Sequence, residues 1–349
     1  MTNKYIGYWM LVGVIMIFIQ ILIGGVTRLT GSGLSITKWE IVTGSIPPIN
    51  EEQWLYEFDL YKATPQYKMI NEGMELSDFK FIYFWEYFHR LWARIMGLVF
   101  LIPFIYFLAK GQLHKLLKRR LLIVLSLAAL VASFGWIMVA SGLIERPWVN
   151  AYKLATHLSL AVITLIYLFW VYFKEFYTGK IFVSKSFFWG LLVPIGVLLF
   201  VQLYLGGIMS GVKAALLYPT WPDLHGELLP SILFDKNNWM VSNFVNYDKS
   251  IFFSAFIQVL HRMNGYVIFL LGIAFIISVF RNKAYSNLRI KSFLWFVVLL
   301  IQIFLGVAVL VNSIGIIPVG IGVLHQVVGI LLIFIFFSIY FSAFIKNGN

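Results

Sequence analysis

Hydrophobic residues occur in eight long runs separated by short polar stretches, except that longer stretches, residues 27–80 and 211–250, follow the first and fifth runs. A run of roughly 20 apolar residues is long enough to cross a bilayer as a helix. The pattern therefore predicts an all-α integral membrane protein with eight transmembrane helices. The predicted spans are residues 7–26, 82–108, 121–142, 152–173, 187–210, 251–280, 292–311 and 319–344.

Composition supports this class. Hydrophobic residues make up 60% of the 349 residues and charged residues only 12%, which lies outside the usual range of soluble domains. Only Lys4 gives the first run a positive charge ahead of it, and no small-residue cleavage site follows, so we interpret this run as a retained span. The chain has no cysteine. Structural disulfides and thiolate metal ligands are therefore excluded, and any metal must be held by His, Met or oxygen ligands.

The net charge of +12 is distributed unevenly along the chain. The two termini and the connections 109–120, 174–186 and 281–291 hold fourteen Lys and Arg residues but one acid, Glu175. The positive-inside rule therefore predicts cytoplasmic termini and an outer position for the loop 27–80. The basic excess reflects membrane topology. A nucleic-acid partner is not predicted, because no basic face is clustered on a soluble domain.

The second half of the sequence repeats the first. We predict two tandem four-helix bundles, residues 1–180 and 181–349, with the same orientation and related by a pseudo-twofold axis along the membrane normal. The repeated features are residues 20–25 with residues 202–207, Trp39 with Trp221, His89-Arg90 with His261-Arg262, and His157 with His325.

Four histidines fall in the second, fourth, sixth and eighth predicted spans, roughly 8 to 15 Å below their outer ends at 1.5 Å per residue. Facing helices of a four-helix bundle build cofactor sites, and two imidazoles supply both axial ligands of a haem iron. A non-haem metal generally needs carboxylates or three or more nitrogen ligands. We therefore predict one bis-histidine haem site in each half, His89 with His157 and His261 with His325.

Arginines lie next to these histidines. Arg90 and Arg262 each follow a predicted ligand directly, and Arg94 lies one helical turn after Arg90 without a basic counterpart in the second half. A guanidinium binds a carboxylate through two hydrogen bonds, so all three are candidates for binding haem propionates. The alternative is that these side chains extend to the lipid headgroups. Both interpretations stay open at this point.

One position breaks the repeat. Glu86 lies one turn before His89, whereas Gln258 stands one turn before His261. Only the first half thus has a buried carboxylate beside its ligand. Glu86 is either an ion-pair partner of the neighbouring arginines or a proton acceptor at the reacting edge of a haem. The second interpretation predicts that the first half binds the substrate and the second a permanent electron-transfer haem.

The motifs around these residues resemble the haem A synthase family. Residues 79–94, which contain the Glu-x-x-His-Arg motif, and residues 24–35 are similar to its cysteine-free branch in mitochondria and many Gram-negative bacteria. The resemblance continues through residues 155–157, 259–262 and 324–326 and so covers essentially the whole chain. Some bacterial branches carry cysteine pairs in the outer loops, and this chain does not.

The resemblance implies that the C8 methyl group of haem O is oxidised through an alcohol and a geminal diol to a formyl group, giving haem A for haem-copper oxidases. It assigns His89 and His157 to haem O, His261 and His325 to a haem B cofactor, and Glu86 to catalysis. A bis-histidine iron has no open position for oxygen. Either one ligand leaves, or the porphyrin is oxidised and water attacks the methyl; we favour the second route, with Glu86 accepting protons.

Two other functions are consistent with four histidines. A diheme cytochrome that exchanges electrons with quinone would leave Glu86 without a task, and a haem carrier or assembly factor would hold haem unchanged. A transporter is disfavoured by the parallel repeat. The predicted location is the inner cell membrane, with the haem sites toward the outer leaflet. Predicted partners are haem O, membrane lipid, an unidentified electron acceptor, haem O synthase, cytochrome oxidase assembly factors and a second copy of the chain.

Overall fold

The computed structural model describes residues 3–38, 46–143, 146–177, 184 and 187–344. Within these ranges eight helices are long and apolar enough to cross a membrane, which confirms the predicted number of spans. Trp39 and the predicted boundary between residues 180 and 181 lie outside the described residues. The helices are α1 (Lys4–Leu29), α2 (Leu76–Ala109), α3 (Lys115–Ala140), α4 (Ala151–Phe176), α5 (Val193–Gly211), α6 (Ile251–Arg281), α7 (Arg289–Val311) and α8 (Val319–Phe344).

Local sequence explains several helix ends. The side chain of Asn3 accepts a hydrogen bond from the Tyr5 amide and so caps α1. A π-helical turn, Phe188–Leu192, leads without a break into α5, and Pro194, which has no amide to donate, lies directly after this irregular turn. Apolar runs therefore set where the helices cross, and short polar signals set where they begin.

The chain divides into two compact units, Met1–Phe176 and Tyr177–Asn349. In the first unit α1 packs against α2 and α4, and α3 packs against α4. In the second unit α5 packs against α6, α6 against α7, α7 against α8, and α8 returns to α5. Each unit is thus a bundle of four helices. Few residues of α3 are fully buried, so a large part of that helix surface is suited to lipid contact.

The long polar stretch of the first unit forms an ordered cap. Its helices Glu51–Lys62 and Pro65–Met69 lie ahead of α2, which begins at Leu76, six residues before the predicted span. At 34 residues α2 is about 51 Å long and exceeds the roughly 30 Å hydrocarbon core. Its outer end carries Phe79, Ile82 and Tyr83, which form one buried cluster with Phe58 and Tyr61. The loop therefore covers apolar surface that would otherwise face water.

Polar contacts fasten this cap, which we define as residues 51–71. The Tyr61 hydroxyl donates to Gln66 Oε1 at 3.0 Å and accepts from Asn71 Nδ2 at 2.7 Å. Burial raises the pKa of Tyr61 to about 12, so its hydroxyl keeps its proton at physiological pH. Gln66 Nε2 also donates to the Gly31 carbonyl at 3.0 Å. This last bond connects the cap to the chain that leaves α1.

A charged cluster joins α3 to α4 at the opposite end of the first unit. Glu175, 8% exposed, accepts from Arg120 Nη1 at 2.7 Å and lies 3.0 Å from His114 Nε2. His114 Nδ1 accepts from the Leu117 amide and so caps α3, which leaves the ring proton on Nε2 for Glu175. The sequence predicts His114 as a solvated loop residue. His114 is indeed exposed and precedes the helix, and it also caps α3 and has a carboxylate partner.

We expect Glu175→Gln to lower the free energy of unfolding by about 1.5–3 kcal/mol, the usual contribution of a hydrogen bond to a charged group. The glutamine amide is neutral and has a single acceptor oxygen, so it cannot replace the carboxylate in accepting from both Arg120 and His114. Unfolding in detergent micelles measures the effect. Glu72→Gln, at an exposed position of the same unit, serves as control and should change stability by less than about 0.5 kcal/mol. Equal stabilities of the two variants would show that the cluster does not join the helices.

Candidate functional site

Each of the four intramembrane histidines lies against a glycine of the preceding long helix. A Cβ atom built on any of these glycines would come within 3.3 Å of an imidazole atom, so a larger residue fits only if the ring moves. The distances are 3.1 Å from Gly24 to His89 Nε2, 2.9 Å from Gly135 to His157 Cε1, 3.3 Å from Gly206 to His261 Cε1, and 3.0 Å from Gly306 to His325 Cε1.

Three of these four glycines share a sequence pattern, and the repeat of the two halves shows only two of the three. Three of them follow a glutamine by four residues, in the pairs Gln20 with Gly24, Gln202 with Gly206 and Gln302 with Gly306. The sequence repeat includes Gly24 and Gly206, but it does not predict the histidine contacts of Gly135 and Gly306. In α3 the glutamine position holds Val131, so the first unit departs from the pattern there as well as at Glu86.

In the second unit both imidazoles contact glutamine amides. Gln202 Nε2 lies 3.1 Å from His261 Nε2, and Gln302 Nε2 lies 3.4 Å from His325 Nε2. Asn264 Nδ2 donates to Gln202 Oε1 at 2.7 Å, which orients the Gln202 amide nitrogen toward the ring. Among the described residues, Nδ1 of His261 and of His325 is buried without a hydrogen-bond partner. Because an amide nitrogen only donates, Nε2 is the nitrogen with a lone pair.

In the first unit the histidines have different partners. His157 Nδ1 donates to the Val131 carbonyl at 3.0 Å, which leaves its Nε2 as the nitrogen with a lone pair. Gln20 Nε2 donates to the backbone carbonyl of His89 at 3.2 Å rather than to its ring. The two imidazoles lie within electrostatic range of each other, as do the two of the second unit. The first unit thus holds the His157 ring by a backbone carbonyl, whereas both rings of the second unit contact glutamine amides.

These features fit axial ligation of a haem iron. Iron takes an unprotonated imidazole nitrogen, and a hydrogen bond from the other nitrogen fixes the tautomer and the ring plane. His157 has this arrangement, and the glycines let all four rings approach their neighbouring helices closely. Within the described ranges no three His, Asp or Glu side chains come together, so these residues do not form a three-ligand non-haem site. Each unit therefore offers an imidazole pair to a planar ligand between helices.

Glu86 is buried, with 3% of its surface exposed, and three groups bind its carboxylate. Its Oε2 accepts from Ser35 Oγ at 2.8 Å and from the Ile36 amide at 2.9 Å. Its Oε1 pairs with Arg90 Nη2 at 2.5 Å, and the same nitrogen donates to the Ile36 carbonyl at 3.2 Å. The ion-pair alternative is therefore present in the structure. The catalytic role of Glu86 stays a prediction.

These bonds hold residues 31–36, which we call the strap, across the end of the first unit at which α1 ends and α2 begins. Leu34 of the strap is 2% exposed, and a Cβ on Gly142, just beyond α3, would lie 2.9 Å from its side chain. Thr27, near the end of α1, donates to the Trp85 carbonyl at 3.2 Å. The strap thus runs from α1 past the Glu86 face of α2 to the end of α3.

In the second unit, Gln258 and Arg262 occupy the positions equivalent to Glu86 and Arg90, and they bind the segment after α5 without a carboxylate. Gln258 Nε2 donates to the Tyr218 carbonyl at 2.9 Å. Arg262 donates to the carbonyls of Thr220 at 2.8 Å and Asp223 at 2.9 Å. Arg90 and Arg262 therefore both donate to backbone carbonyls of the segment that follows the first helix of their unit. Propionate binding by these two arginines and by Arg94 stays a prediction.

Comparison with known proteins identifies the family of the chain. The family model of the cytochrome oxidase assembly protein family COX15-CtaA matches residues 7–337. The chain is 38% identical to the heme A synthase of Bradyrhizobium diazoefficiens over 332 residues, which is 94% of this chain and 88% of the relative. It is 35% identical to the heme A synthase of Flavobacterium johnsoniae over 342 residues, 95% of each protein. The chain belongs to the COX15-CtaA family of cytochrome oxidase assembly proteins.

Proposed function

We propose that this chain is a haem A synthase, a multi-pass inner-membrane enzyme that oxidises the C8 methyl group of haem O to a formyl group for haem-copper oxidases. The relatives named heme A synthase cover nearly the whole chain and support this activity. The structural observation that carries the proposal is the asymmetry of two otherwise similar histidine sites. A carboxylate, Glu86, stands beside one pair, whereas an amide, Gln258, stands beside the other.

The first unit then binds haem O through His89 and His157, and the second holds a haem B cofactor through His261 and His325. When bound, haem B supplies a one-electron redox centre. The support for this assignment is that, among the described residues, a buried carboxylate, Glu86, stands near the histidines of the first unit, where the second unit has the amide of Gln258. In the second unit the amides of Gln202 and Gln302 contact Nε2 of these rings, and ligation of iron by Nε2 would replace those contacts.

Glu86 serves in this proposal as the acceptor of protons released from the methyl group or from attacking water. Both carboxylate oxygens of Glu86 already have partners, Arg90 at Oε1 and the Ser35 hydroxyl and Ile36 amide at Oε2. Proton acceptance therefore requires the contact with Arg90, or the contacts with Ser35 and Ile36, to weaken when the substrate is bound. Arg90 can move toward a substrate propionate, because guanidinium binds carboxylates readily. Such a shift would free one oxygen of Glu86.

The charge distribution supports cytoplasmic termini and haem sites toward the outer leaflet. The enzyme also needs an electron acceptor, since the methyl group loses electrons on its way to the aldehyde. Haem O synthase and oxidase assembly factors are proposed partners, because the substrate and the product are both lipophilic haems that require transfer within the membrane. Assembly with a second copy of the chain is a further proposal.

Haem extraction from the purified protein, produced in cells that make haem O, tests the proposal. Chromatography with mass analysis should give haem B together with haem O, haem A or a hydroxylated intermediate. Two haem B per chain would instead indicate a diheme cytochrome. Haem B with haem O that stays unchanged during prolonged incubation with an oxidant would indicate a carrier.

A further inference from the structure

The outer segment of the second unit, residues 228–251, exposes many large apolar side chains. Leu228, Phe234 and Val241 are 79%, 70% and 76% exposed. Exposed apolar surface of this extent marks a site of interaction with another apolar surface. The other exposed apolar residues of this segment are Leu229, Trp239, Met240, Val245 and Ile251.

The segment satisfies much of its own backbone hydrogen bonding. It contains three short helical turns, Ser231–Leu233, Lys236–Trp239 and Val241–Val245. Trp239 Nε1 donates to the Leu233 carbonyl and Asn243 Nδ2 to the Asn238 carbonyl, both at 2.9 Å. A segment with paired backbone groups can lie against hydrocarbon without losing hydrogen bonds to water.

Aromatic contacts fix the segment to the outer end of α6. The Trp239 ring lies edge-on to Phe252 and Phe256, with centroid distances of 5.2 and 5.3 Å. Phe244 also packs edge-on against Phe253 at 5.9 Å. The level of the first turns of α6 in the bilayer therefore determines the level of the whole segment.

The length of α6 places those turns at the headgroups. With 31 residues α6 is about 46 Å long, which matches the roughly 40–45 Å thickness of a bilayer including its headgroups. The longer α2 projects beyond this thickness and carries a cap with its own core. The two outer segments thus cover their units in different ways.

We propose that residues 228–251 lie in the outer headgroup layer of the membrane and insert apolar side chains among the acyl chains. Val241 and Val245 are four residues apart and share one helix face. Trp239 occupies the interfacial level at which tryptophan is enriched. Lipid is the occupant because the segment ends at Ile251, the exposed first residue of α6, and α6 exposes further apolar residues at helical spacing, Met263, Val267 and Leu270, the last at 64%. Lys236 and Lys249 balance the two acids of the segment, Asp235 and Asp248, so anionic lipid is not required.

Site-directed spin labelling tests the proposal, because the native chain has no cysteine to remove. Single cysteines at Phe234, Val241 and Val245 are labelled with a nitroxide, and the full-length protein is placed in phosphatidylcholine vesicles. Relaxation by oxygen, which concentrates in lipid, is compared with relaxation by a water-soluble nickel chelate. Leu270→Cys provides the lipid reference, and Glu52→Cys, at an exposed position of the cap, provides the water reference.

We expect all three labels to favour oxygen over nickel, at values between the two references and nearer to Leu270. Labels that match Glu52 would overturn the proposal, since the segment would then project into water. Labels shielded from both reagents would also overturn it, since protein would then cover the segment. All three substituted residues are exposed, so each variant should keep the unfolding midpoint of the unlabelled protein, and agreement among them excludes a local artefact.

Discussion

Gly135→Ala should remove most of the haem from the first unit while the second unit keeps its own. The new methyl group would lie 2.9 Å from His157 Cε1, so the imidazole must move away from α3 and from the Val131 carbonyl that orients it. Loss of such an orienting contact typically weakens metal binding about 10- to 100-fold. Alanine favours a helix over glycine by about 0.8–1 kcal/mol, so a weakened α3 cannot explain the loss.

Gly306→Ala is the matching change in the second unit, where the new methyl group would lie 3.0 Å from His325 Cε1. Under the proposed assignment, extraction should show less haem O in Gly135→Ala and less haem B in Gly306→Ala. Gly97→Ala is the control, because no atom lies within 4 Å of the added carbon. If both variants lost the same haem, or neither lost any, the glycine contacts would not support separate haem sites.

Glu86→Gln should leave haem O bound and reduce its oxidation by about 10²- to 10⁴-fold, the usual contribution of a positioned general acid or base. The amide keeps the shape and one acceptor oxygen, but it cannot take up a proton from the substrate. The measurement is the ratio of haem A to haem O in the purified variant, with haem B as internal standard.

Ser35→Ala separates proton transfer from the holding of the strap. This change removes the 2.8 Å bond to Glu86 Oε2 and keeps the carboxylate. If Glu86 acts as a proton acceptor, Ser35→Ala should retain most of the activity that Glu86→Gln loses. Equal losses in the two variants would instead assign Glu86 to positioning the strap, and full activity of Glu86→Gln would remove it from both roles.

The hydrophobic pattern predicted the spans well because a bilayer requires a minimum apolar length, which is a local property of sequence. It placed the start of α2 six residues late, because the extra turns are stabilised by the cap rather than by lipid. The ordered cap was not predicted either. Its stability comes from contacts between Phe58 or Tyr61 and Phe79, which no local pattern reveals.

The site was predicted in part for the same reason. The histidines could be predicted because they recur at matching positions of the two halves. Glu86 could be predicted because it breaks that repeat, since the second half has Gln258 at the matching position. Its bonds to Ser35 and Ile36 join residues about fifty positions apart, so they follow from the path of the strap. Gly135 could not be predicted from this pattern, because Val131 stands four residues before it where the other three glycines have a glutamine.

The cap on α2 has a consequence for hydrophobic mismatch. A helix longer than the bilayer can change its tilt at little cost in free energy, and this moves its residues along the membrane normal. The aromatic cluster anchors the first turns of α2 and so opposes this movement. His89 lies thirteen residues, about 20 Å, from the start of α2, whereas His157 lies six residues, about 9 Å, from the start of the shorter α4. The cap therefore sets the vertical register in which the two imidazoles meet.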